Sequence, residues 1–191
     1  MIVLERGYTQ PRKYEEHAYV LDFVERGKSA TVRGREGIII VGLGEDRLTL
    51  LEILGVPDST FEVGERIFIG KEGRTKVLSV LGKMDYSRIS TSAQSEMPSV
   101  VEKIISQNEK RFIQYLNNAQ PLTPRIHALE LIPGIGKTYM KVMLDEREKT
   151  PFTDFNDLQN RVGLKEPIKQ LTKRIVEEIT GETRMNLFVK R

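Results

Sequence analysis

The hydrophobic period of the chain changes near its middle. Up to about residue 81, apolar residues come in short β-branched runs bordered by Gly, Pro and charged positions: residues 17–24, 38–41, 48–54, 65–69 and 76–81. Such runs read as strands, and five of them predict a small barrel. From about residue 100 the spacing becomes three and four. Val101, Ile104, Ile105, Phe112, Tyr115 and Leu116 form one helical stripe, interrupted at Asn108, and Ile168, Leu171, Ile175, Val176 and Ile179 form another. Pro98-Ser99-Val100-Val101-Glu102 predicts a capping box, with Ser99 as the cap and Glu102 reaching back, so residues 87–97 are expected to be irregular. Gly181 ends the last helix in a left-handed cap. Residues 185–189 alternate like an added strand, after which Lys190 and Arg191 dangle.

The most specific segment lies between two helical patterns: Leu131-Ile132-Pro133-Gly134-Ile135-Gly136-Lys137-Thr138. Thr123 and Pro124 predict the cap and first position of a helix over 125–131. Pro133 and Gly134 stop it, and Gly136 opens a second helix. Without a Cβ at Gly134 or Gly136, a phosphate can approach the N–H groups that start this helix, where unpaired donors and the positive end of the dipole add. Lys137 and Lys141 bring mobile charge beside them. The same residues could serve as a plain interhelical turn with Ile132 and Ile135 as core, but such a turn needs one Gly where this has two. A nucleotide-binding P-loop fails on spacing, because its first Gly would fall at Leu131.

Residues Ile132 through Lys137 resemble the helix-hairpin-helix superfamily: hydrophobic, Pro, Gly, hydrophobic, Gly, basic. That superfamily usually has a small residue four positions after the second Gly, where this chain has Met140. A second copy follows. Thr153 is its predicted cap, Arg161-Val162-Gly163-Leu164-Lys165 its turn, and Glu166-Pro167 the start of its second helix. Lys165 stands where the second Gly would be, so this copy is degenerate and serves packing more than binding.

Composition narrows the function. With 39% hydrophobic and 30% charged residues the chain suits a folded globular protein. It has no Cys, hence no disulfide or thiolate-held zinc. His17 and His127 lack metal-ligand spacing, so no cofactor or metal is expected. No apolar run approaches the roughly 20 residues of a membrane span, and the charged start at Glu5 and Arg6 does not read as an export signal. A cytoplasmic location is the default. Up to residue 98 there are 14 basic and 15 acidic side chains; after it, 16 and 12. The excess positive charge sits on the helical half and suits a polyanionic partner.

The five strands fit the order and lengths of an OB-fold, with a hairpin turn at residues 42–47 and Phe61-Glu62-Val63-Gly64 introducing the fourth strand. Ligands of that fold cross the face beside the loops joining strands 1 to 2 and 4 to 5. The first loop holds Arg26, Lys28, Arg33 and Arg35 with Glu25 and Glu36; the second holds Lys71, Arg74 and Lys76 with Glu72. For Tyr19, Phe23 and Phe68 core packing is the stronger reading over base stacking, for which Tyr8 and Tyr14 are further candidates.

Taken whole, these residues resemble an uncharacterised archaeal family described as predicted OB-fold nucleic-acid-binding proteins. The expected class is α+β in two domains: an OB-fold-like barrel over 1–90, a polar linker and connecting helix over 91–120, an all-α tandem helix-hairpin-helix over 121–181, and a tail over 182–191. The resemblance implies nucleic-acid binding, with RNA favoured over DNA in a translation or ribosome context, a possible ribosomal or other protein partner, no membrane and no assigned reaction. The expected contacts are Gly134, Ile135, Gly136, Lys137, Thr138, Lys141, Gly163 and Lys165 from the hairpins, with Arg26, Lys28, Arg33, Arg35, Arg74 and Lys76 from the barrel. Two other readings use the same residues: a protein-interaction adaptor, and a repair glycosylase or nuclease component. In the glycosylase branch Lys137 sits near the family's catalytic lysine and Asp154 near its Asp, but the Gly-rich segment before that Asp is missing.

Overall fold

The computed structural model describes residues 14–191; Tyr8 lies outside them. All five predicted strands form: β1 (His17–Lys28), β2 (Glu36–Gly44), β3 (Leu50–Gly55), β4 (Arg66–Phe68) and β5 (Val77–Lys83). They make one antiparallel sheet in the order β4-β1-β2-β3-β5. Register shifts after Val20 and Val24 in β1, and two more between β3 and β5, bend the strands and curl the sheet into a half-barrel. Its two faces bury different cores. Ala18 and Val20 point inward with Ile40, Ile53, Ile67 and Val77. Tyr19 and Leu21 point outward with Leu43 and Leu50, onto the helices. Being buried on both sides, the start of β1 has no polar alternation to display. Tyr19 is a core residue, 1% exposed.

The sheet's outer face is covered by α1 (Thr91–Gln107), which packs on β1. This helix starts well before the expected Ser99. Ser90 is the cap: its Oγ accepts from the Ala93 N–H at 3.1 Å and donates to Asp22 at 2.6 Å. Pro98 lies inside the helix and has no N–H to contribute, a loss of about 3 kcal/mol in an ordinary helix interior. Continuity comes from the stripe Ala93, Met97, Val100, Val101, Ile104 and Ile105, every member at most 2% exposed. Asn108 breaks the stripe as expected and separates α1 from α2 (Glu109–Asn118). Its amide donates to the Ile104 carbonyl at 2.9 Å and to the nearly buried Glu45 at 3.2 Å, tying the break to the end of β2.

The helix expected over 125–131 is absent. Instead β6 (Pro121–Thr123) and β7 (Ile126–His127) form a small ribbon, followed by one 3-10 turn at Ala128–Leu131. The Thr123 hydroxyl accepts N–H groups of Arg125 and Ile126, closing a tight turn where a helix cap was expected. After it come α3 (Lys137–Lys149), α4 (Phe155–Val162) and α5 (Pro167–Thr180), the last lying against α1. Gly181 takes the left-handed cap predicted for it, with φ of 83°. Residues 185–189 form no strand; Leu187, Phe188 and Val189 are buried, with Phe188 against Tyr115 and Phe112. One hydrophobic cluster runs from Tyr19 and Leu21 through α1 and α2 to Ile132, Ile135 and Phe188. Among the described residues no helix is long and apolar enough to cross a membrane.

Candidate functional site

The turn at Pro133 and Gly134 is fixed from below by its apolar residues. Ile132 and Ile135 are 1% and 3% exposed, and the Ile135 N–H donates to the Ile132 carbonyl at 3.0 Å. The preceding 3-10 turn is set by a reciprocal cap: His127 Nδ1 accepts from the Leu129 N–H at 3.1 Å, and Glu130 accepts from the His127 N–H at 2.8 Å. Gly134 has φ of +82°, a conformation that favours glycine, and a Cβ there would lie 2.7 Å from the Gln170 amide carbon of α5 and displace the end of that side chain.

Gly136 is the N-cap of α3. Its backbone is extended, with φ of −81° and ψ of −177°, and nothing lies within 4 Å of where its Cβ would be. No side chain caps the helix and no acidic residue stands in its first turn. The N–H groups of Lys137, Thr138 and Tyr139, which have no carbonyl to reach within the helix, open on an unobstructed surface. Lys137 and Thr138 are exposed, and Lys141 follows one turn later on the same side as Lys137. Ile135, by contrast, is core and offers only its backbone. Met140, which replaces the small residue of the superfamily pattern, is half-buried against the main core.

The segment between α4 and α5 repeats the first turn but not its open helix start. Gly163 has φ of +79°, and Leu164 is buried like Ile135. The cap of α5, however, is Glu166 with φ of +50°, one residue beyond Lys165, so Lys165 does not occupy the second glycine's position as expected. Pro167 at the first helical position removes one donor, and the Glu166 carboxylate pairs with Lys169 at 2.8 Å. The cap of α4 is Asp154 rather than Thr153: its carboxylate accepts from the Asp157 N–H at 2.7 Å. This engages the side chain that the glycosylase reading needs.

On the sheet, Arg26, Lys28, Arg33 and Arg35 are all exposed along the end of β1 and the turn into β2. Two other expected contacts are engaged elsewhere. Arg74 donates to the carbonyls of Ile69, Gly70 and Leu78 and so closes its own loop. Lys76 pairs with Glu65 at 2.6 Å and lies over the Phe61 ring. Phe23 is half-buried beside Phe61, and Phe68 packs edge-on against His17, as the core reading expects; Tyr14 is 64% exposed.

Three acids that order the surface, Glu52 and Glu178 buried and Glu15 half-buried, have no counterpart among the expected residues. Glu52, 2% exposed, accepts from the Ser29 hydroxyl and from the N–H groups of Ala30 at 2.9 Å and Thr31 at 3.2 Å, which holds the β1–β2 loop. Desolvation pushes its pKa up, but these donors outweigh it and hold the carboxyl below its usual range. Glu15 receives the Asp46 and Arg47 N–H groups of the β2–β3 turn at 2.8 and 2.7 Å; burial, acting against them, raises its pKa. Glu178, wholly buried, accepts from Leu187, from Phe188 at 3.0 Å and from Val189 at 2.9 Å, and pairs with Arg174 at 3.1 Å. The signal was present for two of them. Glu52 is a lone carboxylate in Leu50-Leu51-Glu52-Ile53-Leu54, and Arg174 and Glu178 fall on the same helical stripe as Leu171 and Ile175.

Comparison with known proteins places this geometry among uncharacterised relatives. Residues 14–190 match a family described as protein of unknown function (DUF655). The uncharacterized protein MJ0038 of Methanocaldococcus jannaschii is 36% identical over 183 residues, covering 95% of this chain and 82% of that protein. The crystal structure of Af1531 from Archaeoglobus fulgidus, of the same family, superposes with a TM-score of 0.81 at 36% identity, over 92% of this chain and 100% of that one.

Proposed function

For this chain, which belongs to the DUF655 family, we propose a nucleic-acid-binding role in which the turn from Gly134 to Thr138 holds a backbone phosphate. The observation that carries this reading is the start of α3: an extended glycine cap with open space in front of it, no capping side chain, and Lys137 and Lys141 alongside. A phosphate there accepts backbone N–H bonds and lies at the positive end of the helix dipole. We read the half-barrel as OB-fold-like and the helical part as a helix-hairpin-helix unit, with Arg26, Lys28, Arg33 and Arg35 extending the cationic contact. RNA is preferred over DNA on the strength of the family resemblance, since a phosphate grip alone does not distinguish them.

The test is fluorescence anisotropy of labelled single-stranded RNA, its DNA counterpart and duplexes against full-length protein over a range of KCl. Affinity should fall linearly in log salt, with a slope of about −0.7 per phosphate contacted on a single strand. Alanine at both Lys137 and Lys141 should flatten that slope by roughly one to one and a half. Salt-independent association, or none with any nucleic acid, would refute the proposal and favour a protein partner. Crosslinking in cells, followed by sequencing of the attached RNA, would then identify the process; enriched ribosomal or transfer RNA is the expected outcome.

A further inference from the structure

The tail, expected to add a strand and to end in a dangling Lys190 and Arg191, is fixed in place and carries a cationic pocket. Glu178 gathers the N–H groups of Leu187, Phe188 and Val189, and the three side chains are buried. The Lys190 N–H then donates to the Arg47 carbonyl at 3.0 Å, and the Thr49 hydroxyl reaches the Lys190 carbonyl at 3.4 Å. Arg174 ties the tail to the hairpin, since one guanidinium donates to the carbonyls of Leu131 and Met185. Between these fixed points lies a cavity of about 420 Å³ lined by Arg47, Thr183, Arg184, Asn186, Lys190 and Arg191.

The lining is positive and rich in donors. It contains four cationic side chains and no acidic side chain. The larger cleft beside β4 and β5 includes Glu15, Glu16 and Glu72, and the cleft between β5 and α5 includes Asp85 and Glu178. Asp46, the acid next to Arg47, faces Arg111 at 3.5 Å. The Thr183 hydroxyl donates to Asn186 Oδ1 at 3.0 Å, which occupies that acceptor and leaves the Asn186 amide N–H groups to face a ligand. Converging cations repel one another, and an anion with several oxygens removes that repulsion.

We propose that this pocket binds a phosphate group, supplied either by a nucleic-acid backbone that also contacts the hairpin or by free phosphate. The first source rests on the function proposed above. Gln170 touches Gly134, and Arg191 touches Gly181, so the two contacts are about 16 Å apart along α5. That is roughly five nucleotides of a stacked strand. Arg191 also lies at the C-terminal cap of α5, where a cation is favourable without any ligand, so the variants avoid it.

The experiment uses the full chain and the double variant Arg184→Gln/Lys190→Gln, with Lys110→Glu at an exposed position of α2 carrying the same charge change as a control. Binding of a labelled 20-nucleotide oligouridylate is measured over a range of KCl. Amide chemical shifts of 15N-labelled protein are followed while inorganic phosphate is added. A fall in RNA affinity of about tenfold or more, with a flatter salt slope that Lys110→Glu does not reproduce, identifies the nucleic-acid backbone as the source. Phosphate-induced shifts at residues 183–190 that vanish in the double variant, with RNA binding unchanged, identify free phosphate. Absence of both effects in a protein with wild-type circular dichroism overturns the proposal. The hairpin is judged separately by Gly136→Asp: RNA affinity unaffected by that variant but lost in the tail variant would sink the hairpin reading and leave this one standing.

Discussion

Replacing Gly136 by Asp should make the protein more stable and a poorer binder of nucleic acid. Gly136 has the extended backbone of an N-cap, and its missing Cβ would meet nothing within 4 Å, so Asp enters without strain. Its carboxylate can accept from the N–H groups of Thr138 or Tyr139, as Asp154 does for α4. Asp in place of Gly at a cap is worth a few tenths of a kcal/mol, and a negative charge at a helix start about 0.3–1 more. The sum, about 0.5–1.4 kcal/mol, should raise the melting temperature by roughly 1–6 °C for a chain of this size. The same carboxylate occupies the position proposed for phosphate and repels it. Losing one or two hydrogen bonds to a charged group costs about 2–4 kcal/mol, or roughly 30- to 700-fold in Kd. Gly136→Asn caps the helix without the charge and should give the smaller loss. Thermal unfolding and RNA anisotropy on the same preparations read both quantities. A variant that melts higher yet binds RNA as the wild type does would refute the contact, and one that melts lower would refute the cap geometry.

Glu178→Gln should destabilise the chain by about 3–5 kcal/mol, because one oxygen becomes a donor among donors and Arg174 is left uncompensated. A melting temperature within 2 °C of wild type, with the amides of residues 187–189 still protected from hydrogen exchange, would show that the carboxylate does not hold the tail. His127 should make stability fall as pH drops: burial, then the nearby Arg147, lowers its pKa, and the neutral Nδ1 accepts from the Leu129 N–H. The unfolded chain therefore takes up the proton first, and the stabilising contribution is complete above the ordinary histidine pKa and lost as pH falls through the lowered one. His127→Asn keeps a cap without titrating, so urea midpoints between pH 5 and 8 should vary less than in the wild type; equal variation would remove His127 as the cause.

The strands were legible because each is a short apolar run bordered by turn residues, and all five appear near their expected positions. The start of α1 was not, because Pro98 argues locally for a boundary and only the burial of Ala93 and Met97 against the sheet and helices overrides it. Thr123 misled for a related reason. A hydroxyl accepting N–H groups two and three residues on is chemically the same event at a helix cap and in a tight turn, and the sequence around Pro124 does not separate them. At the candidate site the glycine turn was readable from spacing alone. The partners of Arg74 and Lys76 were not, since they are carbonyls and a carboxylate set by loop closure. Arg184 escaped notice and Lys190 was expected to dangle because the groups that fix the tail, Glu178 and the Arg47 carbonyl, are remote or belong to the backbone.

At several other places in the described residues, the chain supplies an internal group where backbone donors converge. Glu52, Glu15 and Glu178 each collect the N–H groups of a loop or of the tail. Several helix starts follow the same habit. Ser90 caps α1, Asp154 caps α4, Glu109 accepts the Phe155 N–H at the start of α4, and the 3-10 turn has His127 and Glu130. At α5, Pro167 removes a donor. The start of α3 lacks a side-chain cap, as α2 and α5 do, and adds to that a Gly at the cap, Lys137 next, no acid in the first turn and no obstruction at the missing Cβ. Any of Ser, Asp or Asn at residue 136 would fit the backbone and stabilise the helix by a few tenths of a kcal/mol, so Gly gives up a little stability there and keeps the donors open. An external anion that takes the place of the missing cap accounts for both the glycine and the lysines.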